Sequence, residues 1–210
     1  MKYVNQLEYP HWLYVTHTQD GKEEEGKLTT VKTSGCGLCS AVMVSDQLLP
    51  NCAFDLKDAL DLSYATGANH KAGTDYKVFA PAFAEKLGLR TEMSNDPQHL
   101  LDCLRTGGAA VINVGGDHDG RSGIFSHRGH YIVAIREEAD GRIAILDPSC
   151  KPGKFEEEGR AGKVEIRHGV IALCEVQVPS QSSWEVVSPV ARSSGLHGPG
   201  GLRCVAWDQG

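Results

Sequence analysis

The chain has 210 residues, enough for one domain or one domain with an appendage at roughly 100 to 200 residues per domain. Hydrophobic residues make up 40% and charged residues 23%, as in an ordinary globular protein. The net charge is −6 and no Lys/Arg cluster exceeds two neighbours, which argues against a nucleic-acid or anionic-membrane surface. The longest apolar runs, such as residues 131–135, fall far short of the roughly 20 residues that a membrane span needs. We therefore predict no nucleic acid and no membrane among the partners.

The cysteine content bears on the compartment. The seven cysteines are Cys36, Cys39, Cys52, Cys103, Cys150, Cys174 and Cys204. Their odd number and irregular spacing suit a reducing compartment better than a disulfide framework. The first six residues lack the apolar core of a secretory signal. We predict a cytoplasmic protein, or an exported one if a leader has been removed, and we make no prediction of its oligomeric state.

Helical patterns dominate the first half of the chain. The first strong element begins at Ser34-Gly35-Cys36-Gly37 and runs to Pro50 with apolar residues at a helical period. Three further helices are predicted at residues 54–64, 75–87 and 97–104. Gly88 is the expected C-cap of the helix at 75–87, and Asp96 is the expected N-cap of the helix at 97–104.

The second half favours strands, at residues 109–114, 130–135, 142–146 and 164–178, the last broken near His168-Gly169. Helices that precede strands indicate an α+β fold, with a helical half packed on an antiparallel sheet. Residues 179–210 are rich in Ser, Gly and Pro. The predicted organisation is therefore a domain at residues 1–178 followed by a tail at 179–210.

One predicted hairpin brings a histidine to a carboxylate. If Arg136 pairs with Gly141 across a four-residue turn, then His130 lies directly opposite Asp147. The same register pairs Ile132 with Ile145 and Ala134 with Ile143 on that face. A carboxylate in this position orients the imidazole and stabilises its protonated form.

Cys36 has the setting of a nucleophile. A thiol at a helix N-terminus is favoured as thiolate by the helix dipole and the free N–H groups there. Gly35 and Gly37 are expected to let the backbone turn sharply and to leave the sulfur open to a substrate. Together with His130 and Asp147, the chain therefore contains a nucleophile, a base and an orienting group.

Four short motifs occur in an order that belongs to a known family. They are Tyr3-Val4-Asn5-Gln6, Ser34-Gly35-Cys36-Gly37 continuing to Val44, Gly129-His130-Tyr131-Ile132-Val133, and Ile145-Leu146-Asp147-Pro148. In these motifs the sequence resembles bacterial cysteine peptidases similar to the bacteriocin-processing, double-glycine-leader peptidases of the papain-like superfamily. The resemblance covers roughly residues 1–178.

The resemblance implies a papain-like cysteine peptidase or amidase that cleaves a peptide or amide substrate without a cofactor or a metal. By that resemblance Cys36 is the nucleophile, His130 the general base and acid, and Asp147 the orienting group. Gln6 is implied to contribute its side-chain amide to the oxyanion hole. The identity of the substrate and of the acyl acceptor stays open.

Three other interpretations use the same residues. Cys36 and Cys39 form a C-x-x-C at a helix start, as in a thiol redox protein, although such a site should follow a buried strand. Cys36, Cys39, His127 and His130 would make a Cys₂His₂ zinc set, although only one cysteine pair serves it. A non-catalytic binding domain that retains the peptidase fold is the third alternative.

Overall fold

The computed structural model describes residues 1–16, 29–69, 73–168 and 171–174. Its helices are α1 (Val31–Ser34), α2 (Cys36–Leu48), α3 (Leu56–Thr66), α4 (Tyr76–Leu87) and α5 (Pro97–Arg105), preceded by a 3₁₀ turn at Gln6–Glu8. Its strands are β1 (Ala110–Val114), β2 (His130–Glu137), β3 (Ile143–Leu146), β4 (Val164–Arg167) and β5 (Ile171–Cys174). Residues 175–178 of the last predicted strand and the predicted tail at 179–210 lie outside the described residues.

The sequence signals place the helix ends well. Asp96 caps α5 by accepting from the backbone N–H of Gln98 at 2.9 Å, as predicted. Gly88 ends α4 in the left-handed conformation at φ 67°, which a glycine adopts without steric cost. Along the chain all five helices of the described residues precede the strands, as predicted, and the fold is α+β.

Within the described residues the five strands form one sheet, in which neighbours pair antiparallel in the spatial order β1-β2-β3-β5-β4. Helix α2 packs on β2 and is buried over most of its length, with α3 and α4 beside it. Helix α5 packs against β1 and β2 and contributes to a second apolar cluster with Ile112, Ile132, Phe125 and Phe155. The sheet is thus covered on both faces, because alternate residues of β2 join different clusters.

The predicted register of the β2–β3 hairpin is wrong by two residues up to Ala134 and by three at Arg136. The structure pairs Ala134 with Ile145 and Arg136 with Ala144, where the sequence analysis expected Ile143 and Gly141. His130 therefore does not lie directly opposite Asp147. An irregularity separates Ala134 from Arg136, and Gly141, at φ 82°, belongs to the turn. Up to Ala134 the shift by two keeps each side chain on its predicted face, because the side-chain period of a strand is two.

The glycines beside Cys36 are required by close packing. A Cβ added to Gly35 would lie 2.6 Å from Cγ1 of Val31, and one added to Gly37 would lie 2.7 Å from Cε2 of Tyr76. Gly35 has an ordinary φ of −92°, so the sharp turn expected from the sequence is not the reason for the glycine. Both glycines instead let α2 approach its neighbours closely.

We expect Gly37→Ala to lower the free energy of unfolding by about 1–3 kcal/mol, because the added methyl group overpacks the contact with Tyr76 and Thr74. Gly73→Ala is the matched control, since nothing lies within 4 Å of a Cβ at that position. Urea unfolding of both variants measures the difference. Equal stability of the two variants would mean that the α2–α4 contact accommodates the methyl group.

Within the described residues, no helix combines the length and the apolar character needed to cross a bilayer.

Candidate active site

Cys36 is the first residue of α2, where its thiol contacts His130. The side chain is partly exposed. Burial of the sulfur alone would raise the pKa of the thiol, but the hydrogen bond and charge of His130 lower that pKa below its ordinary value. The backbone N–H groups of Tyr131 and Gly37 act in the same direction because they donate to the sulfur. The site therefore favours a thiolate at the helix start.

His130 is the first residue of β2 and is held by Asp147. Its Nε2 donates to Oδ1 of Asp147 at 2.8 Å, which leaves Nδ1 as the nitrogen for the Cys36 thiol. Burial alone would lower the pKa of the imidazole, but the partners Asp147 and Cys36 raise it to about 9. The structure thus brings together the three residues predicted as nucleophile, base and orienting group, despite the error in register.

Asp147 follows β3 directly and is almost completely buried, with 1% of its surface exposed. Burial alone would raise the pKa of this carboxyl group, whereas His130 and Lys154 lower it to about 2. Its main-chain carbonyl accepts from the hydroxyl of Tyr3 at 2.6 Å. Asp147 is therefore held in place as an ionised residue through both its side chain and its main chain.

Two residues of this network were not predicted from the sequence. Lys154 is buried, and its Nζ lies 2.5 Å from Oδ2 of Asp147 and 2.7 Å from Oγ of Ser149. Ser149 also donates its backbone N–H to Oδ1 of Asp147 at 2.9 Å, and its hydroxyl lies 3.1 Å from Nε2 of His130. The Asp147-Pro148-Ser149 turn was a sequence signal for Ser149, because Asp side chains accept from the backbone two residues on. Nothing in the sequence distinguishes Lys154 from the other lysines.

Gln6 connects α1, which ends just before Cys36, with the loop that carries Asp147. Its buried side-chain amide donates to the carbonyl of Lys32 in α1 at 2.7 Å, and its backbone N–H donates to the carbonyl of Pro148 at 2.7 Å. Its Oε1 is buried and has no hydrogen-bond partner among the described residues. In this arrangement the amide binds the protein's own backbone, and the oxyanion role stays a prediction.

The residues of the zinc interpretation are not gathered at one point. The ring nitrogens of His127 face Asp117 at 2.9 Å and Glu157 at 3.2 Å. Cys39 is buried one turn after Cys36. Across the described part of the chain, no group of three or more His, Cys, Asp or Glu side chains is arranged to hold a metal ion.

Comparison of the chain with protein-family models finds no match, and comparisons with curated proteins and with solved structures find none either.

Proposed function

We propose that this chain is a papain-like cysteine peptidase or amidase, similar to the bacteriocin-processing peptidases, that cleaves a peptide or amide bond through Cys36, His130 and Asp147. The observation that carries the proposal is the contact of a helix-start thiol with an imidazole whose second nitrogen lies 2.8 Å from a buried carboxylate. Nucleophile, base and orienting group in this order are the requirements of covalent acyl transfer.

The chemistry follows from the protonation states at the site. The Cys36 thiolate attacks the carbonyl carbon and forms the S–C bond, and His130 gives its proton to the leaving nitrogen as the C–N bond breaks. Water or another amine then attacks the thioester while His130 accepts the proton of the attacking group. The S–C bond breaks and the thiolate–imidazolium pair is restored.

The place of Cys36 in the fold weighs against thiol redox chemistry at Cys36 and Cys39. Helix α2 follows the short helix α1, whereas a thioredoxin-like site follows a buried strand in a βαβ unit. Acyl transfer by a helix-start thiol requires no such strand.

The rate of iodoacetamide alkylation at each cysteine, followed by mass spectrometry against pH, tests the proposal. At pH 6 we expect Cys36 to react faster than Cys52, and His130→Ala to slow Cys36 about tenfold or more. Without His130 a smaller fraction of Cys36 is thiolate at pH 6. This loss outweighs the greater nucleophilicity of the thiolate that remains.

His127→Ala is the matched control, since it removes an exposed imidazole that contacts Asp117 and Glu157. It should leave the alkylation profile of Cys36 unchanged. Slow labelling of Cys36 at pH 6 in the wild type would contradict the proposal and favour a non-catalytic binding domain.

A further inference from the structure

We infer that Lys154 is a positioning residue of the site, which acts through Asp147 to limit how tightly the imidazolium of His130 holds its proton. This inference rests on the proposed function. The cation lies 2.5 Å from Oδ2 of Asp147 while His130 occupies Oδ1 at 2.8 Å, so two cations share one carboxylate.

The burial of this arrangement makes its charges effective. The exposed fractions of the side chains are 5% for Lys154, 6% for His130 and 1% for Asp147. Charges removed from water interact much more strongly than surface charges. Leaving the Lys154 ammonium or the Asp147 carboxylate unpaired would carry a large cost in free energy. A buried ammonium group beside the carboxylate is therefore a strong local electrostatic influence.

The position of Lys154 is also fixed by neutral partners. Ser149 accepts from Nζ at 2.7 Å through its hydroxyl, and the same hydroxyl is 3.1 Å from both Oδ1 of Asp147 and Nε2 of His130. The Phe155 ring lies 5.7 Å from Nζ. The ammonium group is thus held at one point, close to the His130–Asp147 hydrogen bond.

The consequence for catalysis is a matter of proton release. His130 must keep its proton while the thiolate attacks, and must then give it to the leaving nitrogen. A carboxylate bound to His130 alone would hold that proton more firmly. Lys154 neutralises part of the carboxylate charge and repels the proton on His130, which eases the transfer.

Charged and titratable groups around His130 come from three elements. Cys36 faces it from α2, and Asp147 faces it from the loop after β3. Lys154 contacts Asp147 from the same loop, and Tyr3 reaches the carbonyl of Asp147 from the N-terminal segment. Cys150 lies in the same loop near Asp147. Among these groups Lys154 is the only cation, so its removal has a definite sign.

The test uses the pH dependence of Cys36 alkylation by iodoacetamide in the full chain, which needs no substrate. A thiolate–imidazolium pair gives a plateau, followed by a second rise where His130 loses its proton, near pH 9 in the wild type. Lys154→Gln keeps a donor for Asp147 but removes the charge, and we expect it to move this second rise upward by about one pH unit. Lys154→Arg, which keeps the charge, should leave it in place.

Lys151→Gln is the charge-matched control, because Lys151 is 58% exposed and pairs with Glu157 at 3.8 Å. It should not shift the second rise. Thermal unfolding followed by circular dichroism checks each variant, and Lys154→Met replaces Lys154→Gln if the latter does not fold.

The outcomes separate the inference from the proposed function. In one outcome the wild-type profile shows the plateau while the second rise stays at the same pH in Lys154→Gln or Lys154→Met. That result would overturn the role of Lys154 and leave the peptidase proposal intact. A downward shift would also overturn it, because it would mean that Lys154 only holds Asp147 in place. Absence of a plateau in the wild type would contradict the proposed function itself.

Discussion

Cys36→Ala is expected to abolish peptide or amide cleavage while the fold stays intact. Loss of a nucleophile costs on the order of 10⁵-fold in turnover, because the residual site offers only binding and electrostatic stabilisation. Alanine is the best helix former and Cys36 is partly exposed, so the substitution should leave the melting temperature within a few degrees of the wild type.

The measurement is cleavage of a peptide library by the wild type and the variant, with the products identified by mass spectrometry. The new termini also show whether water or another amine accepts the acyl group. Cys39→Ala is the matched control, since it removes a thiol one turn later on the same helix. Full activity in Cys36→Ala would refute the assignment, and Cys39→Ala should cleave the library as the wild type does.

Asp147→Asn is expected to lower both stability and turnover. The change leaves Lys154 buried without its counter-charge, and breaking a buried ion pair in this way costs about 3–5 kcal/mol. Adding Lys154→Met to the variant should restore much of this loss, because the double variant buries no unpaired charge. Urea unfolding of the two single variants and the double variant measures the coupling.

The stabilising effect of Asp147 has a defined pH range. Because its pKa is about 2 in the folded protein against an ordinary 3.8, its contribution is present above about pH 4 and is lost as the pH falls toward 2. Asp147→Asn should therefore flatten the loss of stability between pH 4 and pH 2. Asp140→Asn, at a 52% exposed carboxylate on the same hairpin whose pKa is also lowered by Arg142, is the comparison and should flatten the slope much less, because solvent screens an exposed pair.

Turnover distinguishes an orienting role of Asp147 from a structural one. An orienting group acts through His130, so its loss should lower turnover less than the loss of Cys36 or His130. Equal losses in all three variants, together with poor folding of Asp147→Asn, would indicate that Asp147 serves chiefly to hold the loop and Lys154.

The contact between His130 and Asp147 in the β2–β3 hairpin followed from side-chain alternation alone. Alternating side chains placed His130 and Asp147 on one face, and this was sufficient to predict their contact although the register was wrong by two residues. The exact register depended on the irregularity near Ala134 and on the turn at Gly141, which local patterns do not specify.

By itself the sequence determined the order of helices and strands, the helix start at Cys36 and the residues proposed to carry the chemistry, because caps, periodicity and short motifs are local features. Only the tertiary structure revealed that Gly35 and Gly37 serve close packing, that Gln6 bridges α1 and the Asp147 loop, and that Lys154 shares the carboxylate with His130. These contacts join residues distant in the chain. Their partners are decided by packing and by the need to satisfy buried charges, which no local pattern records.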